Sequence, residues 1–250
     1  MARCAVKPHA VHGAISSLPL LTFALSSNPM KKVQRPAAVL FDMDGLLIDS
    51  EATLKRIWQD CAARLGFDLS DSLYAHLVGV PNVLCEEKLM LWFNNFPLDD
   101  FRSNWKATRA EQHNNGGIPP KAGALELVAW LEGQGVPMAL ATSSSREAVD
   151  RHRASWPELF RFASIMTVEQ VARPKPDPDI YLRTCAHLGV APTDCVIFED
   201  SNPGMRAAIA SGARAIMIPE LVAPEPSVRA GAAHIYPSLN HAFDNREDWF

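Results

Sequence analysis

Acidic residues are missing from the first 35 positions, which carry five Lys or Arg and an apolar stretch from Ala14 to Leu25 broken by Ser16, Ser17, Pro19 and Thr22. A short targeting peptide has such a composition, and so does an unstructured extension, or an over-long start with Met30 as the working initiator. We expect the extension, because the folded pattern begins only at Arg35-Pro36. Cysteine is scarce: Cys4, Cys61, Cys85, Cys185 and Cys195 are odd in number and form no C-x-x-C pair. That argues against a disulfide framework or a zinc site and fits a reducing compartment. A cytoplasmic location follows as the expectation, or an organelle if residues 1–35 are a transit peptide. No apolar run reaches the roughly 18 residues of a membrane span. Positive charge is not in surplus, with a net charge of −4 and a pI near 6.1. Neither nucleic acid nor a membrane surface is therefore an expected partner. No internal repeat is visible, and a monomer is expected.

What is present past Pro36 is an alternation of strand and helix signals, which favours a parallel α/β sheet. The strands expected are Ala37–Phe41, Pro137–Ala141, Phe162–Thr167, Cys195–Phe198 and Ala215–Ile218. Helices are expected over Gly123–Leu131, over Ile180–Leu188 behind Asp177-Pro178-Asp179, and over Met205–Ser211 ending at Gly212. The alternation is interrupted once. From Glu51 to Gly117 the pattern is helical, with segments Glu51–Leu65, Ser70–Leu77, Val83–Phe93 and Asp99–His113, and Asn114-Asn115-Gly116-Gly117 marks its end. The division expected is an extension over 1–35, a core over 36–50 and 118–250, and a helical insert over 51–117. Trp58, Phe67, Tyr74, Trp92, Phe93, Phe96, Phe101 and Trp105 should supply the core of the insert, with room for one or two to line a cleft.

Four polar clusters fall where an α/β sheet builds its sites, beyond the C-terminal ends of strands. Asp42 and Asp44 in Asp42-Met43-Asp44-Gly45 close an apolar strand, and two carboxylates so close resist joint ionisation. A turn would explain them; so would a cation, or a reaction using one charged and one protonated carboxyl. Thr142-Ser143-Ser144-Ser145 could hold an anion or cap a helix. Lys175 lies in a proline-stiffened loop, Arg173-Pro174-Lys175-Pro176-Asp177. Glu199-Asp200 is a second acidic strand end. A helix cap accounts for Asp200 but not for the charge on Glu199. Two such ends side by side would make an oxygen-rich pocket suited to a hard divalent cation such as Mg²⁺.

In order, these residues resemble the four motifs of the haloacid dehalogenase superfamily: Asp42-Met43-Asp44-Gly45, Thr142, Lys175 in K-P-x-P, and Glu199-Asp200. The resemblance spans about Pro36 to Pro219. The helical insert, entered at Asp49-Ser50-Glu51, is similar to the α-helical cap of the phosphoglucomutase-like branch. It implies a Rossmann-like, doubly wound parallel-sheet core of α/β class with an inserted helical cap. It implies Asp42 as a nucleophile forming an aspartyl-phosphate and Asp44 as general acid, then base. Thr142, Ser143 and Lys175 would bind the phosphoryl group. Mg²⁺ would be held by the Asp42 carboxylate, the Asp44 backbone carbonyl and Asp200, with Glu199 directly or through water.

Phosphatases and hexose-phosphate mutases of this branch share all four motifs. The mutases are alike in a His on the first cap helix and an Arg after Gly-Val-x; here those places hold Leu54 and, after Gly79-Val80-Pro81, Asn82. Arg146 could partly substitute. The expectation is hydrolysis of a small phosphate monoester, of a sugar, nucleoside or polyol. A β-phosphoglucomutase-like mutase is the alternative, and a non-catalytic phosphate binder a more distant one. Gly79–Asn82, Lys55 and Trp58 are candidates to read the leaving group.

Overall fold

Ala38–Phe41 (β1) has no polar side chain to offer water and runs buried through the middle of a sheet. The computed structural model describes residues 34–250 apart from Gly79 and Pro81; the expectations for residues 1–33, Cys4 among them, and for those two loop positions fall outside the described residues. On either side of β1 lie Met138–Ala141 (β2) and Cys195–Glu199 (β4), and Ser164–Met166 (β3), Arg214–Met217 (β5) and His234–Ile235 (β6) complete the sheet. The order is β3-β2-β1-β4-β5-β6, with every neighbouring pair parallel. The chain is thus a doubly wound α/β protein. The five expected strands form within one or two residues of their expected ends. The short edge strand β6 has no alternation to betray it in the sequence.

Strand side chains alternate between two layers. Val39 and Phe41 face a cluster with Leu127, Val128 and Leu131 of Ala124–Gly133, here α5. Ala38 and Leu40 face Ile180 and Tyr181 of Asp179–Leu188 (α7) and Met205 of Asn202–Ala210 (α8). Burying residues such as Leu and Ile yields about 2 kcal/mol each, so two covered faces hold the sheet rigid. Arg146–Ser155 (α6) also covers the first face, through Val149. Pro226–Gly231 (α9) and Leu239–Asp244 (α10) extend the two layers.

Between β1 and β2 come Ser50–Arg64 (α1), Asp71–Tyr74 (α2), Asn82–Trp92 (α3) and Leu98–Asn114 (α4). They surround a hydrophobic cluster of their own, in which Trp58 meets Phe101 edge to face at 5.3 Å and Trp105 at 5.8 Å. All eight aromatics of this stretch belong to that cluster or pack against it. Trp105 additionally borders a cleft with Arg109 and His113. The segments entering and leaving the insert run side by side: Asp49 N–H donates to Pro119 O at 2.9 Å and Lys121 N–H to Leu47 O at 2.9 Å.

Candidate active site

A doubly wound sheet opens a crevice where its strand order reverses, here between β1 and β4. Register puts Phe41 opposite Phe198 and Leu140, so Asp42 emerges beside Glu199 and beside the end of β2. Asp42 N–H donates to Phe198 O at 3.1 Å, which fixes this exit.

Lys175 ties the strand ends together. Its Nζ donates to Asp42 Oδ1 at 2.6 Å, Glu199 Oε1 at 2.7 Å and Ala141 O at 3.0 Å, matching three N–H bonds to three oxygens. Burial alone would discharge this lysine, but the Asp42 and Glu199 carboxylates outweigh it and hold its pKa well above the ordinary value. Burial also pushes Asp42 upward; Lys175 pulls it back, Glu199 raises it again, and the result is about 7.

Glu199 was expected at the cation directly or through water; its carboxylate is held by donors of the protein. Its Oε1 accepts from Lys175 and, at 2.9 Å, from the Tyr181 hydroxyl; Oε2 accepts from Asp200 N–H, Ser201 N–H and Ser201 Oγ at 3.0 Å each. Five donors saturate a carboxylate with no exposure. A Cβ on Gly204 would lie 1.7 Å from Oε1, so the glycine makes room for the carboxylate at the start of α8. Burial opposes its ionisation, but Lys175 and these hydrogen bonds win and lower its pKa. Glu199 is the counter-ion of Lys175.

The hydroxyl run divides its labour. Thr142, 1 % exposed, accepts Ser144 N–H at 3.0 Å on Oγ1. Ser143 lines the cavity. Ser144 Oγ donates to Asp44 Oδ2 at 2.5 Å, and Ser145 caps α6 by accepting Ala148 N–H at 3.3 Å. Ser144 was part of the expected anion-holding or capping run, but its bond to Asp44 was not expected, since nothing in a run of serines says which one turns toward Asp44. The capping explanation holds for Ser145.

Asp42, Asp44, Thr142, Ser143, Lys175, Glu199 and Asp200 thus border one cavity of about 380 Å³. Glu220 joins them: Lys121 Nζ donates to its Oε1 at 2.6 Å, while Oε2 is buried without a partner. No local motif announced this residue. Gly45, at φ +81°, passes so close that a Cβ would lie 2.3 Å from Asp200 Oδ2 and 2.7 Å from Glu220 Oε2. Burial, then Glu199, Asp42 and Glu220, push the Asp200 carboxyl well above the usual range.

Such a surplus of carboxylate over positive charge fits a hard cation. Among the described residues no three His, Cys, Asp or Glu side chains converge as a ready-made metal cluster. Asp42 and Asp200, which both border the cavity, are instead two carboxylates that could hold such a cation. That suits Mg²⁺, which keeps several waters.

Several candidates lie elsewhere. Lys55 pairs with Asp71 at 2.8 Å and Trp58 is buried within the insert. Leu54 packs on the insert's cluster, and Arg146 points out to Asp150 at 3.3 Å. The side chain of Asn82 is outside the described residues.

The family model for haloacid dehalogenase-like hydrolases matches residues 39–218, from β1 to the end of β5. The chain belongs to that family. It is 32 % identical over 180 residues to the phosphorylated carbohydrates phosphatase of Thermotoga maritima, covering 70 % of this chain and 81 % of the relative. It is 29 % identical over 226 residues to the bifunctional riboflavin kinase/FMN phosphatase of Arabidopsis thaliana, covering 89 % of this chain and 56 % of that longer protein. A HAD family hydrolase from Deinococcus radiodurans R1, solved with bound phosphate and sodium, superposes with a TM-score of 0.71 at 27 % identity, covering 87 % and 99 % of the two chains. The chain is a phosphoric monoester hydrolase of this family. Among the described residues no helix is long and apolar enough to cross a membrane.

Proposed function

We propose that this protein hydrolyses a small phosphate monoester of the sugar or polyol type, with Mg²⁺, through an aspartyl-phosphate on Asp42. The observation that carries the reading is the Lys175 ammonium, shared between Asp42 and Glu199 at the floor of a cavity that also holds Asp44 and Asp200. Lys175 occupies Asp42 Oδ1, which leaves Oδ2 to attack phosphorus. As the ester P–O bond breaks, Asp44 gives its proton to the leaving alkoxide. Asp44 then takes a proton from water, whose oxygen attacks phosphorus and releases Asp42 as carboxylate. Ser144 Oγ orients Asp44 for both transfers. Thr142 and Ser143 offer donors to the phosphoryl oxygens, and Lys175 stabilises their charge. Asp42, Asp200 and the Asp44 carbonyl would hold Mg²⁺, which supplies charge neutralisation and orientation of the phosphoryl group.

The four helices over Ser50–Asn114 are proposed as a cap over the core, hinged at Asp49–Glu51 and Asn114–Gly117, that excludes water during transfer. No observation favours mutase chemistry: Arg146 is turned away from the cavity and Leu54 is packed in the insert. Phosphate release from a panel of monoesters with Mg²⁺ tests the proposal, with β-glucose 1-phosphate and its bisphosphate included. Conversion to glucose 6-phosphate with little free phosphate would overturn it.

A further inference from the structure

The cavity is also lined by Glu51 and Val78 of the insert and by Glu220, Leu221 and Val222 beyond β5. Among the described residues Lys175 is the one Lys, Arg or His that borders the cavity, and all three of its N–H bonds are spent on protein oxygens. Lys121 lies behind Glu220, on Oε1 and on Asp49 at 3.4 Å, while Oε2 is left buried and unpartnered. Lys106, Arg109, His113 and Arg151 line a separate cleft that shares no residue with the first, although Arg109 is near enough to pull on the Glu51 carboxyl.

A leaving group with a second anionic substituent would therefore meet carboxyl groups and find no counter-ion. A second anion within about 5 Å of a carboxylate is repelled by more than thermal energy in a partly dry cavity. An anion stripped of water there is not compensated. Val78, Leu221 and Val222 offer apolar surface to C–H faces instead, and the carboxyls accept from hydroxyl or ammonium groups.

We infer that Glu51 and Glu220 select the alcohol by charge: esters of neutral or cationic alcohols are accepted, and those with a second phosphate or a carboxylate are rejected. The inference rests on the phosphatase reading above and names the substrate class of that site.

Sorbitol 6-phosphate, its 2-amino-2-deoxy analogue and 6-phosphogluconate share one open six-carbon chain and differ in the charge of the alcohol. With Mg²⁺ at low ionic strength, kcat/KM for the first two is expected to exceed that of the third by about tenfold or more. Added KCl should narrow the ratio, and so should Glu51→Gln combined with Glu220→Gln. Ratios cancel any common effect of the variants on cation binding. Equal or faster turnover of 6-phosphogluconate, or a ratio untouched by the double variant, overturns the inference. p-Nitrophenyl phosphate serves as reporter: if it is hydrolysed while the six-carbon esters turn over slowly, their competitive inhibition constants carry the same comparison and decide it in the same way. If neither the reporter nor the esters release phosphate, the phosphatase reading itself fails, and the inference with it.

Discussion

Lys175 Nζ lies 2.6 Å from Asp42 Oδ1, a contact between the end of the first strand and a loop far along the chain. The same ammonium lies 2.7 Å from Glu199, so three buried charges depend on one another. Lys175→Met should reduce kcat by about 10³-fold, the scale of losing a charged transition-state partner. It should also destabilise the fold by roughly 3–5 kcal/mol, because Glu199 is left charged and unpaired. Steady-state kinetics and urea unfolding check both; Lys175→Met with Glu199→Gln should recover much of the stability and none of the rate.

Ser144 carries a separate prediction, since its bond to Asp44 orients a proton donor. Ser144→Ala should lower kcat about tenfold while KM and unfolding change little. A change confined to KM would instead place Ser144 with substrate binding.

At Gly45 two constraints meet, a left-handed backbone and the nearness of Asp200. Gly45→Ala should cost about 1–2 kcal/mol of stability. It should also raise the Mg²⁺ concentration for half-maximal activity about tenfold, by displacing the Asp200 carboxylate. Activity measured across a Mg²⁺ titration reads the second effect, and an unchanged midpoint would detach Asp200 from the cation.

His152 is 2 % exposed on α6, and its ring packs against His113 at 5.3 Å. Burial lowers its pKa to about 4, against an upward pull from Asp44 and a further lowering by His113. The unfolded chain, with a histidine near 6.5, then binds the extra proton first. The stability linked to His152 is therefore complete above pH 6.5 and is lost as pH falls toward 4, by about 3 kcal/mol at most. Unfolding of His152→Gln across pH 4–7 should show a flatter profile than the parent protein. Parallel profiles would contradict this.

The sheet was legible because its strands are short apolar runs bounded by turn residues, as in Ala37–Phe41. The edge strand His234–Ile235 and helices Pro226–Gly231 and Leu239–Asp244 were not, because they are too short for a period to show. Asp42, Asp44, Thr142, Lys175 and Asp200 were legible as candidates because each closes a strand or sits in a stiffened loop. Which carboxylate of Glu199-Asp200 turns toward Lys175 is a matter of strand facing and of the space left by Gly204. Ser144 and Glu220 needed the fold itself, since their partners lie about a hundred residues away in sequence.

Chemical trapping of the acyl phosphate tests the central claim most directly. Protein quenched in acid during turnover and reduced with borohydride should carry homoserine in place of Asp42, located by peptide mass mapping, and Asp42→Asn should carry none. Steady hydrolysis with no homoserine at Asp42, or with homoserine at another carboxylate, would contradict the account.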